Sequence, residues 1–308
     1  MKNQYYHFCI IIYRKEEVAM KVNIINVSIA IDYIESHLTE KLDLETVAQA
    51  VHYSKFHLHR VFVDTIGLTI HDYVLRRRLS ESAKLLIFSN KSIIEIALIS
   101  GYKSQQAFTT VFKQMYKKSP NQYRKAEEFY PLQLRYILKN KPTRISTEIN
   151  WKSDIVYALE TDIPAWLELV HQAIDGFPYL KETDYLKELE TCIQKKQALI
   201  IRDDDTVIGA MIFDKQANSI NFLAVHPQYR KSEIAKAFLQ RLRYELSTDI
   251  PISITTFREG DKADLGYRET YKELGFAEAE LLIEFGYPTQ KFIIRKEDLS
   301  GDCDERDR

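Results

Sequence analysis

Cysteine is almost missing from this chain of 308 residues. Cys9, Cys192 and Cys303 are odd in number and far apart, so they cannot form a disulfide framework, and no metal-ligand spacing exists among them. Their scarcity fits a reducing compartment. Long hydrophobic runs are missing too. The longest uninterrupted apolar stretch, Phe8 to Tyr13, is about six residues, against roughly 20 for a bilayer span or 7 to 15 for a signal-peptide core. A cytoplasmic protein with no membrane partner is therefore the expectation. With 45% hydrophobic and 28% charged residues, collagen-like, mucin-like and wholly disordered chains are excluded, and the length suits about two domains.

Net charge is also nearly absent, at −1, but the charges are not evenly placed. Residues 41–144 carry 18 basic and 8 acidic side chains, whereas residues 145–308 carry 21 and 31. A basic segment is joined to an acidic one, which points to a polyanionic partner for the first.

The basic segment contains a repeat. Ser54-Lys55-Phe56-His57-Leu58-His59-Arg60-Val61-Phe62 aligns with Ser104-Gln105-Gln106-Ala107-Phe108-Thr109-Thr110-Val111-Phe112 at an offset of 50, and Tyr73 and Tyr123 keep it. Each copy reads as a short helix, a turn and a second helix opened by a serine at the N-cap, where its hydroxyl can accept a backbone N–H. In the second helices Leu58, Val61 and Phe62, and likewise Phe108, Val111 and Phe112, form an apolar stripe. Phe56, His59 and Arg60, or Gln106, Thr109 and Thr110, fall on another face. A helical stretch from about Ile70 to Phe88, with Arg76-Arg77-Arg78, suits a rigid spacer.

The plain alternative is an ordinary helical bundle with polar outer faces. Against it stand the duplicated serine, the matched stripes and an outer face of Arg, His and Gln, side chains that hydrogen-bond base edges in the major groove. Lys55, Arg76, Lys103, Lys113, Lys117 and Lys118 would supply sequence-independent phosphate attraction. His52, His57, His59 and His71 invite a metal reading, but His57 and His59 are two apart on a helix and point in different directions, so no metal is expected.

Residues from about 27 to 126 resemble the AraC-type transcriptional regulators, above all the multiple-drug-resistance and superoxide-response activators. The matching residues are Ser54 to Arg60, Gly101-Tyr102-Lys103-Ser104-Gln105-Gln106, Phe112-Lys113 and Ser119-Pro120-Asn121-Gln122-Tyr123-Arg124. The resemblance implies two helix-turn-helix units on double-stranded promoter DNA. Phe56, His59 and Arg60 would face one major-groove segment and Gln105, Gln106 and Thr109 the next, with Ser54, Lys55, Arg76, Lys103, Ser104 and Thr110 completing the expected DNA-binding set. Thr110 stands where related activators often carry arginine. His52 replaces the turn glycine kept as Gly101, and His is among the residues that can take positive φ.

From about Trp151 the pattern becomes α/β, with strand-like runs at Asp154–Leu159, Ala198–Ile201, Val207–Phe213, Ile220–Val225, Ile252–Phe257, Leu281–Phe285 and Lys291–Ile294. Asp203-Asp204-Asp205 reads as a solvated hairpin turn. Phe222-Leu223-Ala224-Val225 runs through His226-Pro227-Gln228-Tyr229-Arg230-Lys231-Ser232-Glu233 into a helix, so a basic turn leads to a helix N-terminus that can face phosphate. This stretch and Thr270-Tyr271-Lys272-Glu273-Leu274-Gly275-Phe276 resemble the GNAT acetyltransferases. The resemblance implies acetyl-CoA held by Val225, Arg230, Lys231, Ser232 and Ala235, with Tyr271 protonating the departing thiolate. Tyr271 reads equally well as core packing. The family pattern places glycine where Glu233 stands, because the backbone must approach the pyrophosphate closely; a carboxylate adds bulk and like-charge repulsion.

The expected organisation is an extension at 1–26, whose translation could start at Met20, an all-α double helix-turn-helix domain at 27–126 and a linker at 127–150. A GNAT-like domain with a mixed, mostly antiparallel sheet follows at 151–297, then a charged tail at 298–308. The expected function is sequence-specific DNA binding, with the second domain sensing or modifying a small molecule. The alternatives are an N-acetyltransferase with an accessory DNA-binding domain, and an acidic domain that contacts RNA polymerase or masks the basic one.

Overall fold

The computed structural model describes residues 21–138, 149–150, 152–173, 182–230, 232–246, 250–284 and 287–295. The expected extension to residue 20, most of the linker beyond 138, Lys231 and the tail lie outside the described residues.

Helix α1 covers residues 21–36 and buries Val27, Ala30, Ile31 and Ile34, a spacing of three and four that makes one apolar stripe. Helices α2 (Leu44–Ala50) and α3 (Lys55–Ile66) form the first helix-turn-helix, and α5 (Ile93–Ile99) and α6 (Gln105–Tyr116) the second; α4 (Ile70–Phe88) runs between them. Both serines are N-caps as expected: Ser54 Oγ accepts from His57 N at 3.3 Å and Ser104 Oγ from Ala107 N at 3.2 Å. In the turns, His52 takes φ 58° where the second copy has Gly101 at φ 82°. The short helix α7 (Pro120–Ala126) carries a capping box from Ser119 and Gln122.

Each unit has its own core. Leu58, Val61, Phe62 and Tyr73 pack with α1 in the first, and Phe108, Phe112, Tyr116 and Tyr123 in the second. Helix α4 enters both, with Tyr73 and Val74 in one and Leu79, Ala83 and Leu86 in the other. Its three arginines fasten it to neighbours. Arg77 grips Glu35 with Nε and Nη2, each at 2.7 Å, and donates to the Gln133 carbonyl; Arg78 donates to the Leu38 and Glu40 carbonyls.

The first part of the expected linker is packed. Leu132 sits in the second core and Tyr136 in the first, both almost fully buried, so residues 130–138 strap the two units together. Composition could not reveal this, because the burial depends on where the strap lies.

The acidic half is a seven-stranded sheet. Its strands are β1 (Ile155–Tyr157), β2 (Ala198–Asp203), β3 (Thr206–Asp214), β4 (Ser219–Val225), β5 (Ile252–Phe257), β6 (Ala277–Glu284) and β7 (Tyr287–Ile294), in the order β1-β2-β3-β4-β5-β7-β6. Among the described strands only β4 and β5 pair in parallel. Helices α8 (Ile163–Ala173) and α9 (Glu182–Gln194) cover one face, and α10 (Ile234–Leu242) and α11 (Tyr267–Glu273) the other. Strand β2 shows the period of two directly: Ala198 and Ile200 join the α8 side, Leu199 and Ile201 the α10 side. A Cβ on Gly209 would come within 2.8 Å of Ile234 and 2.9 Å of Phe238, so glycine lets α10 lie close on β3. The aspartate triplet forms the β2–β3 hairpin as expected, and Asp203 also accepts from the Tyr229 hydroxyl at 2.7 Å.

Candidate nucleic-acid interface and the cavity of the second domain

At the N-terminal turns of α3 and α6, the apolar stripe of each helix is consumed by its own core, which forces the opposite face outward. Phe56 is 79% exposed, and Lys55, His59 and Arg60 are exposed beside it. On α6 and its approach, Lys103, Gln105, Gln106 and Thr110 are exposed and Thr109 is half-buried. Two expected reading faces are thus presented by duplicated helices on one rigid spacer. Lys55 pairs with Glu45 at 3.3 Å and its ammonium lies over the Phe56 ring. Thr110 returns its hydroxyl to the Gln106 carbonyl, as expected of a residue with no long polar arm.

Arg76 requires correction as a phosphate contact. It is 1% exposed and donates to the Ala263 carbonyl in the acidic domain. The run of three arginines has only one apparent meaning in sequence, whereas helix geometry sends each to a different neighbour. Lys117 is also engaged. It caps α6 in the left-handed region at φ 59° and places Nζ 2.7 Å from Asp261 Oδ1.

The two domains therefore meet at the C-terminal ends of both exposed helices. Beyond α3, the Arg230 side chain lies against Gly67, 3.3 Å from where a Cβ would stand, and donates to the Tyr136 hydroxyl at 3.4 Å. Beyond α6, Asp261, whose side chain is wholly buried, accepts from Lys117, Tyr287 and the Ala263 N–H. Among the described residues, nothing of the acidic domain covers the N-terminal turns of α3 and α6. Sequence gave no signal for Asp261 or Tyr287, because a loop aspartate and a strand tyrosine acquire this role only through docking.

In the second domain, β4 and β5 pair only at Ser219–Ser253 and Ile220–Ile254; past these residues β4 follows β3 and β5 follows β7. The divergence opens a cavity of about 760 Å³, lined by residues 219–224 and 253–257 with Tyr267, Tyr271, Glu284 and Tyr287. Its size is that of a small-molecule site. Tyr271 is buried against Phe276 and Phe292, as core packing implies, and also lines the cavity. Burial, with Asp264 nearby, pushes its phenol well above the ordinary tyrosine range.

The turn expected to hold pyrophosphate departs from that use. Arg230 points at Gly67 and Tyr136. Glu233 is 73% exposed, pairs with Lys236 at 3.5 Å and stands at the N-cap of α10 without capping it. Ser232 Oγ donates to the Tyr229 carbonyl, Val225 pairs with Gly209, and Ala235 is half-buried. Among the described residues of this turn, the arginine is engaged elsewhere and a carboxylate sits at the helix start, neither of which favours a diphosphate; Lys231 lies outside them. Among the described residues no group of His, Cys, Asp and Glu could hold a metal ion, and no helix is long and apolar enough to cross a membrane.

The family profile for a helix-turn-helix domain matches residues 47–126, and that for an acetyltransferase (GNAT) domain matches residues 169–286. The chain is 42% identical over 94 residues to the uncharacterized HTH-type transcriptional regulator YbfP of Bacillus subtilis, covering 30% of this chain and 32% of that one. It is 40% identical over 103 residues to the transcriptional regulator Rob of Salmonella typhimurium, covering 33% and 36%. It is 41% identical over 98 residues to the HTH-type transcriptional activator AarP of Providencia stuartii, covering 32% of this chain and 73% of AarP. The chain spans about a third of the length of YbfP and Rob.

Proposed function

This chain belongs to the AraC-type helix-turn-helix regulators and carries a GNAT acetyltransferase domain, and on that footing we propose that it binds promoter DNA sequence-specifically while its second domain receives a small molecule. One observation carries the reading: Phe56, His59 and Arg60 on α3, and Gln105 and Gln106 on α6, are exposed at the openings of duplicated helices tied to one spacer. An Arg fork addresses guanine, a Gln amide adenine, and an exposed phenyl ring the thymine methyl. Two such openings on one chain suit adjacent major-groove segments.

Footprinting of the full chain on genomic fragments tests it. Protection of two segments about one helical turn apart is expected. Arg60→Ala or Gln106→Ala should each cost about 1–3 kcal/mol on the selected site and barely change binding to random duplex. Equal losses on both duplexes would overturn the assignment.

A second reading, N-acetyl transfer to an amine from acetyl-CoA, has one observation in its favour, the position of Tyr271 at the cavity wall. Thiol release with amine acceptors tests it. No release together with retained ligand binding selects sensing.

A further inference from the structure

We infer that the acidic domain is a splint across the two helix-turn-helix units, and that Arg230 and Asp261 thereby set which spacing between two DNA segments the chain accepts. The spacing half rests on the regulator reading above; the splint half does not.

The way the units are joined gives a splint something to do. Each unit has its own core, and α4 crosses from one to the other between Val74 in the first and Leu79 in the second. Bodies with separate cores move relative to one another unless a further contact braces them. The loop between β5 and α11 spans this crossing. Within residues 261–265 it touches all three parts in chain order. Asp261 takes Lys117 at the end of α6 at 2.7 Å, the Ala263 carbonyl accepts from Arg76 on α4 at the crossing itself, and Leu265 packs on the core of the first unit. The loop is braced from within: Asp261 also accepts from the Ala263 N–H at 2.9 Å and from the Tyr287 hydroxyl on β7 at 2.8 Å, and Asp264 accepts from the Gly266 and Tyr267 N–H groups at 3.1 and 2.9 Å.

A second hold lies on the first unit. Pro227–Tyr229 packs beside α3, and Arg230 rests on Gly67 and reaches the Tyr136 hydroxyl on the strap. Gly67 and Lys117 keep the offset of 50 that relates the two copies, and each closes its reading helix in the left-handed region, at φ 74° and 59°. The acidic domain therefore grips the same position of the repeat twice, at the ends of α3 and α6 remote from their reading residues. Two helices held by one body cannot slide or turn independently. Moving one DNA segment by a base pair shifts it by about 3.4 Å and rotates it by about 35° around the duplex. A splinted pair then loses one segment, whereas a pair joined by α4 and the strap alone can follow it.

Equilibrium binding of the full chain to its selected site, with the interval between the two protected segments lengthened or shortened by one base pair, tests this. The parent should lose about tenfold or more with either change, the worth of a bidentate base contact. Arg230→Met and Asp261→Asn together should cut that penalty to about threefold or less, each alone giving an intermediate value, while a duplex carrying only the α3 segment is bound within about twofold of the parent. Both substitutions lie on the acidic domain, so neither removes a reading residue. Hydrogen exchange without DNA reads the grip itself. The Lys117 N–H, which donates to the Lys113 carbonyl, should exchange about threefold faster or more in Asp261→Asn, and the Gly67 N–H, which donates to the Val63 carbonyl, likewise in Arg230→Met. A full spacing penalty in the double variant, or a single-segment loss as large as the change in the penalty, overturns the spacing role. Unchanged exchange at both helix ends overturns the splint. A parent chain that selects no site while exchange responds removes the regulator reading, and the spacing half with it, and leaves the splint standing.

Discussion

Replacing Lys117 by Met removes the charge that ties α6 to the acidic domain while keeping a long, unbranched side chain at the left-handed position. Asp261 has no exposed side-chain area, whereas Lys117 retains 29% of its own. Breaking a buried ion pair costs about 3–5 kcal/mol when one partner is stranded. Here the stranded carboxylate keeps two donors, Tyr287 Oη–H and the Ala263 N–H. Hydrogen bonds to charged groups are worth about 1.5–3 kcal/mol each, so part of the penalty is offset. A net loss of about 2 kcal/mol in the docking of the two domains is expected. Denaturant titration with one reporter in each domain reads it as separation of two transitions that are expected to coincide in the parent chain. Lys113→Met, on the same helix and exposed, is the control and should stay within about 0.5 kcal/mol. The double variant with Asp261→Asn should cost less than the sum of the singles, because they share one interaction. Identical unfolding of the Lys117 and Lys113 variants would refute the claim that this pair joins the domains.

Lys55→Ala should weaken binding to every duplex alike and reduce the slope of log affinity against log salt by about one charge, read by anisotropy across a salt series; a loss confined to one sequence would refute it. Glu233→Gly should raise acetyl-CoA affinity about tenfold or more by removing like charge from the start of α10, and unchanged calorimetry would show that Glu233 is not what keeps the diphosphate out. Burial pushes the Tyr102 phenol up to about 12. The folded chain then holds that proton more tightly than the unfolded chain, so its contribution is complete below about pH 10 and is lost as pH rises toward 12. Tyr102→Phe should flatten stability against pH in that window, and an unaltered slope would contradict the burial argument.

The halves of this protein differ in how much of them their residues announce. The repeat of serine caps and apolar stripes determined both helix-turn-helix units, because a cap and a spacing of three and four act within a few residues. Even positive φ at His52 followed from its alignment with Gly101. Apolar runs likewise marked the strands, and β2 and β3 are continuous rather than alternating because helices bury both faces of the sheet there. Docking between the halves was decided by tertiary structure alone. Arg76, Lys117 and Arg230 all look like cations waiting for phosphate, yet each meets an oxygen or a backbone surface of the other domain. A local pattern can state that a side chain is charged and which face of its helix it occupies. Which neighbour arrives at that face depends on contacts more than a hundred residues away in sequence, and no short-range periodicity encodes them.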